Sequence, residues 1–437
     1  MSAPPAGMTV LLLGATGLIG STVAAHLKVA GVRVVAATRH LDSAARRVPA
    51  DRWIELDVGR LISPEAWRPH LADVDAVINC AGVLQDSPRD STEAVHTLGP
   101  AALFTACEQA GVRRVIHLSA IGVDKEGSTA FSITKRRCEE DLMARDLDWV
   151  ILRPSVVVGR AAYGGSALFR SLAALPFLPR VTEAEPLQIV QLDEVAESFL
   201  HFLAPSAPAR VALDLAGPER LTFDQAIDTY RAWLGWRRAG RLPLPAPLFN
   251  LAFRLGDLVG LLGWRPPLRT TARRELLKGA VGDPSDWIRL TGIQPKPLAD
   301  TLAAEPASVQ ERWFAQLYLL KALVFVALPL FWIATGLISL GPAYEAGRRI
   351  VAEAGAGALS GPFAIAGAFA DIAIGLGIAF RRTAPLALWT AIALSLFYLA
   401  ASTVLVPRLW IDPLGPLVKI APIIVLHLLA LPLARDR

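Results

Sequence analysis

The stretch TVLLLGATGLIGSTVAAHL narrows the possible folds more than any other part of the chain. It sets a short apolar run directly against three glycines, Gly14, Gly17 and Gly20, and then against a helical period. Glycines in that register permit a tight turn after a strand, close approach of backbone to a pyrophosphate, and close packing of the next helix on the sheet, with the phosphates on the helix N-terminus. A second strand pattern, VRVVAATR, follows at the distance of a βαβ unit. Thr9 to Leu13, Arg33 to Ala37, Ala76 to Asn79, Val115 to Ser119 and Trp149 to Leu152 read as buried strands, each followed by a helical stretch. Such alternation is the signature of a parallel sheet with helices on its faces. The expected fold over residues 8–203 is therefore α/β, a Rossmann-type doubly wound parallel sheet.

Residues 204–307 lose this pattern to loops, amphipathic stretches and proline clusters such as GWRPPLR, and are expected to form the substrate or lid part of the same domain. Pro247 to Trp264 is apolar but carries Asn250, Arg254 and Asp257 about one turn apart, which a bilayer centre penalises. Two readings stay open for it, a packed lid or core helix and an interfacial helix lying on the membrane.

After Trp313 the character changes. Four apolar segments, about 317–340, 362–380, 384–406 and 417–433, each approach or exceed the roughly 17–25 residues of a spanning helix. Residues 313–437 are expected to form an all-α four-helix transmembrane bundle. Composition agrees, since 53% of the chain is hydrophobic and 19% charged, against about 25% charged in soluble domains. Arg312, Arg381, Arg382, Arg435 and Arg437 mark one side as cytoplasmic, with Arg348, Arg349 and Arg408 on the other weakening the bias.

The net charge of +5 is spread out, with no lysine- or arginine-rich run interleaved with aromatics, so no nucleic-acid partner is expected. Cys80, Cys107 and Cys138 show neither CxxC nor metal-ligand spacing, which predicts a reduced compartment and no metal. The N-terminal apolar run lacks a basic segment before it and ends in the glycine loop, so it reads as a strand rather than a signal peptide.

At the end of the second strand, where a carboxylate would bind the ribose hydroxyls of NAD, stand Thr38, Arg39 and His40. A guanidinium there suits the 2′-phosphate of NADP, so NADP(H) is the expected cofactor and NAD(H) the alternative. Arg39 also reads as a solvated strand-end residue.

GATGLIG, LDV with Asp57, VINCAG, VIHLSAIG and LDWVILRPS occur in the order of the short-chain dehydrogenase/reductase superfamily. Over about the first 300 residues the chain resembles its atypical and extended members, close to the NmrA-like group and the NDUFA-nine-like accessory subunit of respiratory complex I. The resemblance implies that Gly14, Thr16, Gly17, Leu18, Ile19 and Gly20 hold the pyrophosphate. It further implies that Asp57 and Val58 face the adenine and that Cys80, Ala81 and Gly82 line the adenine-ribose side. Ser119 would take the active-site serine position, and Pro154, Ser155 and Val156 would close over the nicotinamide. In that family a tyrosine four residues before a lysine acts as general acid or base. Here STAFSITKRRCEE puts Phe131 in the tyrosine position and Lys135 in the lysine position, so the proton-transfer group is missing. Ser132 and Thr134 are weak acids, and Tyr163 and His117 are the other candidates. Lys135 retains the capacity to bind ribose hydroxyls.

The last part of the chain resembles the DoxX-like family of small four-helix membrane proteins, through GAFADIAIGLGIAF and WIDPLGPLVKIAPIIVL. Fusion of such a domain to a short-chain dehydrogenase-like domain is a bacterial arrangement. It implies a multi-pass protein of the bacterial cytoplasmic membrane with the Rossmann domain on the cytoplasmic side. Asp371 and His427 fall within expected spans, and Lys321 and Lys419 near the starts of two. Intramembrane ionisable residues are costly and functional by default, so Asp371 is expected to pair with a lysine or histidine. In the alternative, Lys321 and Lys419 snorkel to the interface and His427 is a neutral core residue. The expected function is that of a membrane-anchored NAD(P)H-binding oxidoreductase acting on a lipophilic substrate. The rivals are a non-catalytic sensor or scaffold of a membrane complex, and an epimerase or dehydratase.

Overall fold

Strand β1 (Thr9–Leu13) explains the architecture by itself, because its side chains go to two different cores. Val10 and Leu12 pack into one cluster and Leu11 and Leu13 into another, all with no solvent exposure. A strand buried on both faces requires helices on each side of a parallel sheet. Each such side chain contributes roughly 1.5–3 kcal/mol of burial. The computed structural model describes residues 4–5, 7–41, 48–87, 90–123, 129–179, 184–242, 246–264, 266 and 268–435. They divide into two units, Met1–Leu255 with Pro267–Ala315, and Gly256–Pro266 with Gln316–Arg437.

In the first unit β1 is flanked on one side by β2 (Arg33–Thr38) and β3 (Arg52–Glu55). On the other side lie β4 (Ala76–Asn79), β5 (Arg114–Leu118), β6 (Asp148–Pro154) and, directly against β6, β10 (Val211–Leu215). Two short strand pairs are β7 (Val156–Val158) with β9 (Ile189–Gln191), and β8 (Phe177–Pro179) with β11 (Gly240–Leu242). The seven-stranded sheet runs β10-β6-β5-β4-β1-β2-β3 and every pairing is parallel. Helix α1 (Leu18–Val29) covers one face, whereas α2 (Gly99–Ala110) and α3 (Ala130–Met143) cover the other. Chain order reverses between β1 and β4, and the carboxyl ends of those two strands form the switch point at which open α/β sheets bind ligands. β10 lies in a stretch that reads as loop. It is an edge strand with only Leu213 and Leu215 buried, and prolines surround it.

Further helices of this unit are α4 (Gly164–Ala173), α5 (Leu192–Phe202), α6 (Phe223–Trp233) and α7 (Thr270–Leu277). The helix Ala246–Leu261 exposes Leu251, Leu255, Leu258 and Leu261, each at least half accessible. These positions share one helical face.

The second unit is helical. Its main helices are α8 (Val309–Leu340), α9 (Ser360–Ala379), α10 (Ala384–Leu405) and α11 (Ile420–Arg435). Three helical stretches, Val309–Leu340, Tyr344–Ala379 and Ala384–Leu405, are long and apolar enough to cross a membrane. The fourth apolar helix, α11, is shorter, with 16 residues, because the chain before it is spent in turns. Leu414 N donates to the Asp412 carboxylate at 2.9 Å, and Pro416 follows one residue after Gly415.

Close backbone contact holds α8 to α9. A Cβ on Gly336 would lie 2.5 Å from the Ala368 carbonyl oxygen and 2.6 Å from Ile372 Cγ1, the small-residue packing that membrane helices rely on. Gly336→Leu is therefore expected to force the helices apart and cost about 1–3 kcal/mol. The fraction of full-length protein that stays monodisperse in detergent after heating reads this out. Unchanged thermal resistance would contradict the packing argument.

Candidate dinucleotide site

The loop after β1 turns sharply because Gly14 has φ +71°, a conformation that disfavours any side chain. Gly17 N donates to Gly14 O at 2.9 Å and closes the turn. A Cβ on Gly20 would sit 2.3 Å from Gly14 O, so only glycine lets α1 begin this close to the strand. The N-cap of α1 is Gly17, with no side-chain cap and no acidic residue in the first turn. Its backbone N–H groups are thus presented to an anion rather than to the protein's own side chains.

Across the switch point, β4 ends in Asn79, whose carboxamide accepts from Ala81 N at 3.1 Å and fixes the path of Cys80 to Gly82. Burial pushes the Cys80 thiol up to about 12, so it stays neutral. A Cβ on Gly82 would meet His96 Nε2 at 3.5 Å and Lys135 Nζ at 3.7 Å, which brings Lys135 beneath this loop. Lys135 is 3% exposed and donates to Leu118 O at 2.5 Å. Burial lowers its pKa. Val83 N donates to His96 Nε2 at 3.0 Å, leaving His96 Nδ1 to carry the hydrogen toward Thr134 Oγ1 at 2.9 Å. Burial holds His96 down at about 2, so it is a neutral structural residue.

Helix α3 is fixed to β6 by a buried ion pair. Arg153 Nη2 lies 2.5 Å from Glu139 Oε2, with Glu139 1% and Arg153 13% exposed at the side chain. Breaking such a pair from one side costs roughly 3–5 kcal/mol. The pair joins Lys135's helix to the strand that delivers Pro154, Ser155 and Val156. Ser119 follows β5, and its N donates to Leu152 O at 2.8 Å. The hydroxyls of Ser119 and Ser155 are buried and have no partner among the described residues. Buried hydroxyls are normally bonded. Two such groups, an uncapped helix terminus, and a lysine below a glycine fit a dinucleotide laid across the ends of β1 and β4.

Other expected residues fall as follows. Asp57 accepts from Gly59 N at 3.1 Å in a turn, with Arg60 Nε 3.7 Å away, and Val58 is buried against α2. Arg39 pairs with the carboxylate of Asp90, which is 7% exposed. Nothing in the local sequence around Arg39 announces that partner, since Asp90 arrives from a loop beyond β4. His117 is buried, with Nδ1 accepting from Asn79 Nδ2 at 3.3 Å and its ring edge-on to Phe104. Burial keeps it neutral. Thr134 donates to Ala130 O at 2.7 Å, and Tyr163 is 46% exposed at the start of α4.

Ser132 differs from these. Its hydroxyl donates to Glu275 at 3.1 Å and accepts from Lys278 Nζ at 3.2 Å, while Thr129 also donates to Glu275. Glu275 and Lys278 come from α7 and the residue after it, more than 140 positions away in the chain. This hydrogen-bonded set stands beside Phe131 and is not legible from the local motif.

In the helical unit His427 is satisfied twice. Its Nε2 accepts from Trp332 Nε1 at 2.8 Å and its Nδ1 faces Ile423 O at 2.6 Å. Lys419 is exposed. The polar group that faces Asp371 is the Tyr398 hydroxyl, rather than the expected lysine or histidine.

Fold and site together define a Rossmann-type dinucleotide-binding domain joined to a C-terminal helical unit with helices long and apolar enough to cross a membrane. Residues 14–168 match the NAD(P)H-binding family and residues 329–428 the DoxX-like family. The chain is 24% identical over 306 residues to NADH dehydrogenase (ubiquinone) 1 alpha subcomplex subunit 9, mitochondrial, of Mus musculus, covering 67% of this chain and 78% of that one. It is 26% identical to Sterol demethylase protein B of Methylococcus capsulatus, covering 70% of this chain and 99% of that one. For Ceramide reductase of Caulobacter vibrioides the identity is 23%, over 66% and 96% of the two chains. The fold is shared with the Bordetella bronchiseptica enzyme WbmG, solved with NAD and UDP, at a TM-score of 0.54 and 16% identity over 71% of this chain and 96% of that one.

Gly17→Asp places a carboxylate where the site would take a pyrophosphate, and like charges so placed cost several kcal/mol. Titration of the full-length protein with NADPH and NADH, followed by nicotinamide fluorescence, is expected to show affinity falling roughly a hundredfold or more. Undiminished binding by the folded variant would remove the glycine loop from the site.

Proposed function

We propose that this protein is a membrane-anchored oxidoreductase that uses NADP(H) in preference to NAD(H) to act on a lipophilic substrate. Its dinucleotide domain faces the cytoplasm at the bacterial inner membrane. The observation that carries this reading is the joining, in one chain, of a complete dinucleotide cradle to helices long and apolar enough to span a bilayer. Relatives matched over 70% and 66% of this chain carry names that specify a sterol and a ceramide, both lipids.

In this reading the Gly14–Gly20 loop, with Thr16, Leu18 and Ile19, binds the pyrophosphate, and Lys135 holds ribose hydroxyls. Asp57, Val58 and Cys80 to Gly82 take the adenine side, and Pro154 to Val156 the nicotinamide side. Ser119 hydrogen-bonds the reacting oxygen of the substrate. When bound, the dinucleotide supplies or accepts the hydride. With phenylalanine at position 131, the proton is carried by Ser132, whose contacts with Lys278 and Glu275 set it apart from Thr134, Tyr163 and His117.

NADP(H) preference rests on Arg39 and on the lack of a carboxylate at the β2 end itself, with Asp90 tempering the guanidinium's charge. Arg39→Ala is expected to weaken NADPH binding about tenfold while leaving NADH nearly unchanged, and Asp90→Asn to shift the ratio the other way. Equal losses for both cofactors would remove Arg39 from phosphate recognition.

Phe131 favours a second reading, in which the dinucleotide is a bound signal or structural ligand in a sensor or scaffold of a membrane complex. NADPH deuterated at the nicotinamide C4, incubated with the protein in nanodiscs and a total bacterial lipid extract, separates the two. Deuterium in a lipid product that is lost in Ser132→Ala supports the oxidoreductase. Tight binding with no deuterium transfer to any lipid supports the sensor.

A further inference from the structure

Among the described residues of the helical unit, one buried side-chain polar atom lacks a partner. It is Oδ1 of Asp371, a residue 5% exposed in the middle of α9. The contrast with His427, whose two nitrogens both face polar partners, argues against treating Asp371 as one more structural polar group. A carboxylate inside an apolar bundle is costly, and the polar side chain that faces it is Tyr398 from α10.

A glycine stands beside this pair. Gly367 lies one turn before Asp371 on the same helix and is half-buried. A Cβ built there meets a single atom within 4 Å, the Tyr398 hydroxyl oxygen at 3.1 Å. The Tyr398 phenol therefore lies against the bare helix surface one turn from the carboxylate, and a side chain at position 367 would displace it.

We infer that Asp371 and Tyr398 form a binding site for the polar end of a membrane-dissolved molecule bearing a hydrogen-bond donor, a hydroxyl or an ammonium on an apolar tail. The donor satisfies Asp371 Oδ1, and the Tyr398 hydroxyl borders it. On this account the bundle binds a ligand as well as anchoring the chain, and the site stands whether or not the dinucleotide domain is catalytic.

The test uses the full-length protein in nanodiscs with three photoactivatable diazirine probes of equal chain length: a primary alcohol, a primary amine, and the methyl ether of the alcohol. Labelled peptides from residues 360–405 are quantified by mass spectrometry. The alcohol or the amine is expected to label this region well above the ether, and whichever is stronger separates a neutral hydroxyl ligand from a cationic one. That labelling is expected to fall about tenfold in Asp371→Asn and to be blocked in Gly367→Leu, with NADPH binding as the control for folding. Equal labelling by all three probes, or unchanged labelling in either folded variant, overturns the site.

Discussion

Backbone meets backbone where the loop after β1 passes the end of β4. A side chain on Gly14 would stand 2.6 Å from the Cys80 carbonyl, and one on Gly20 would strike Gly14 itself. The first contact keeps the two strand ends adjacent, and the second seats the N-terminus of α1 directly above them. Everything at the switch point depends on this closeness. Gly82 passes over Lys135, Asn79 fixes the loop from below, and the unpaired hydroxyls of Ser119 and Ser155 lie at the ends of the next strands.

The helical unit answers a different constraint. In a bilayer the apolar effect does not drive helices together, so association rests on shape and on polar contacts. Gly336 and Gly375 provide the first through contacts with the facing helix, and the Trp332–His427 hydrogen bond provides the second. Against that background Asp371 is an exception that packing does not explain, and an exception of that kind is where a ligand is to be sought.

Periodicity and glycine placement made the sheet legible, because residues buried on both faces of a parallel sheet form unmistakable apolar runs; the five strands read from the sequence are present to within one or two residues. β10 escaped because an edge strand buries only alternate residues. The fourth apolar helix starts at Ile420 rather than at 417, since hydropathy counts the turn residues before Ile420 as apolar helix. What a motif cannot convey is a partner distant in the chain. Asp90 on Arg39, Glu275 and Lys278 on Ser132, and Tyr398 on Asp371 are all contacts made by the fold.

The most direct test of the central claim is an experimental structure of the full-length protein in nanodiscs at saturating NADPH. The account predicts the pyrophosphate on the Gly14–Gly20 loop at the N-terminus of α1, with Lys135 at a ribose and the nicotinamide between Ser119 and Pro154 to Val156. A dinucleotide bound elsewhere, or a bare glycine loop at a concentration that saturates binding in solution, would contradict it.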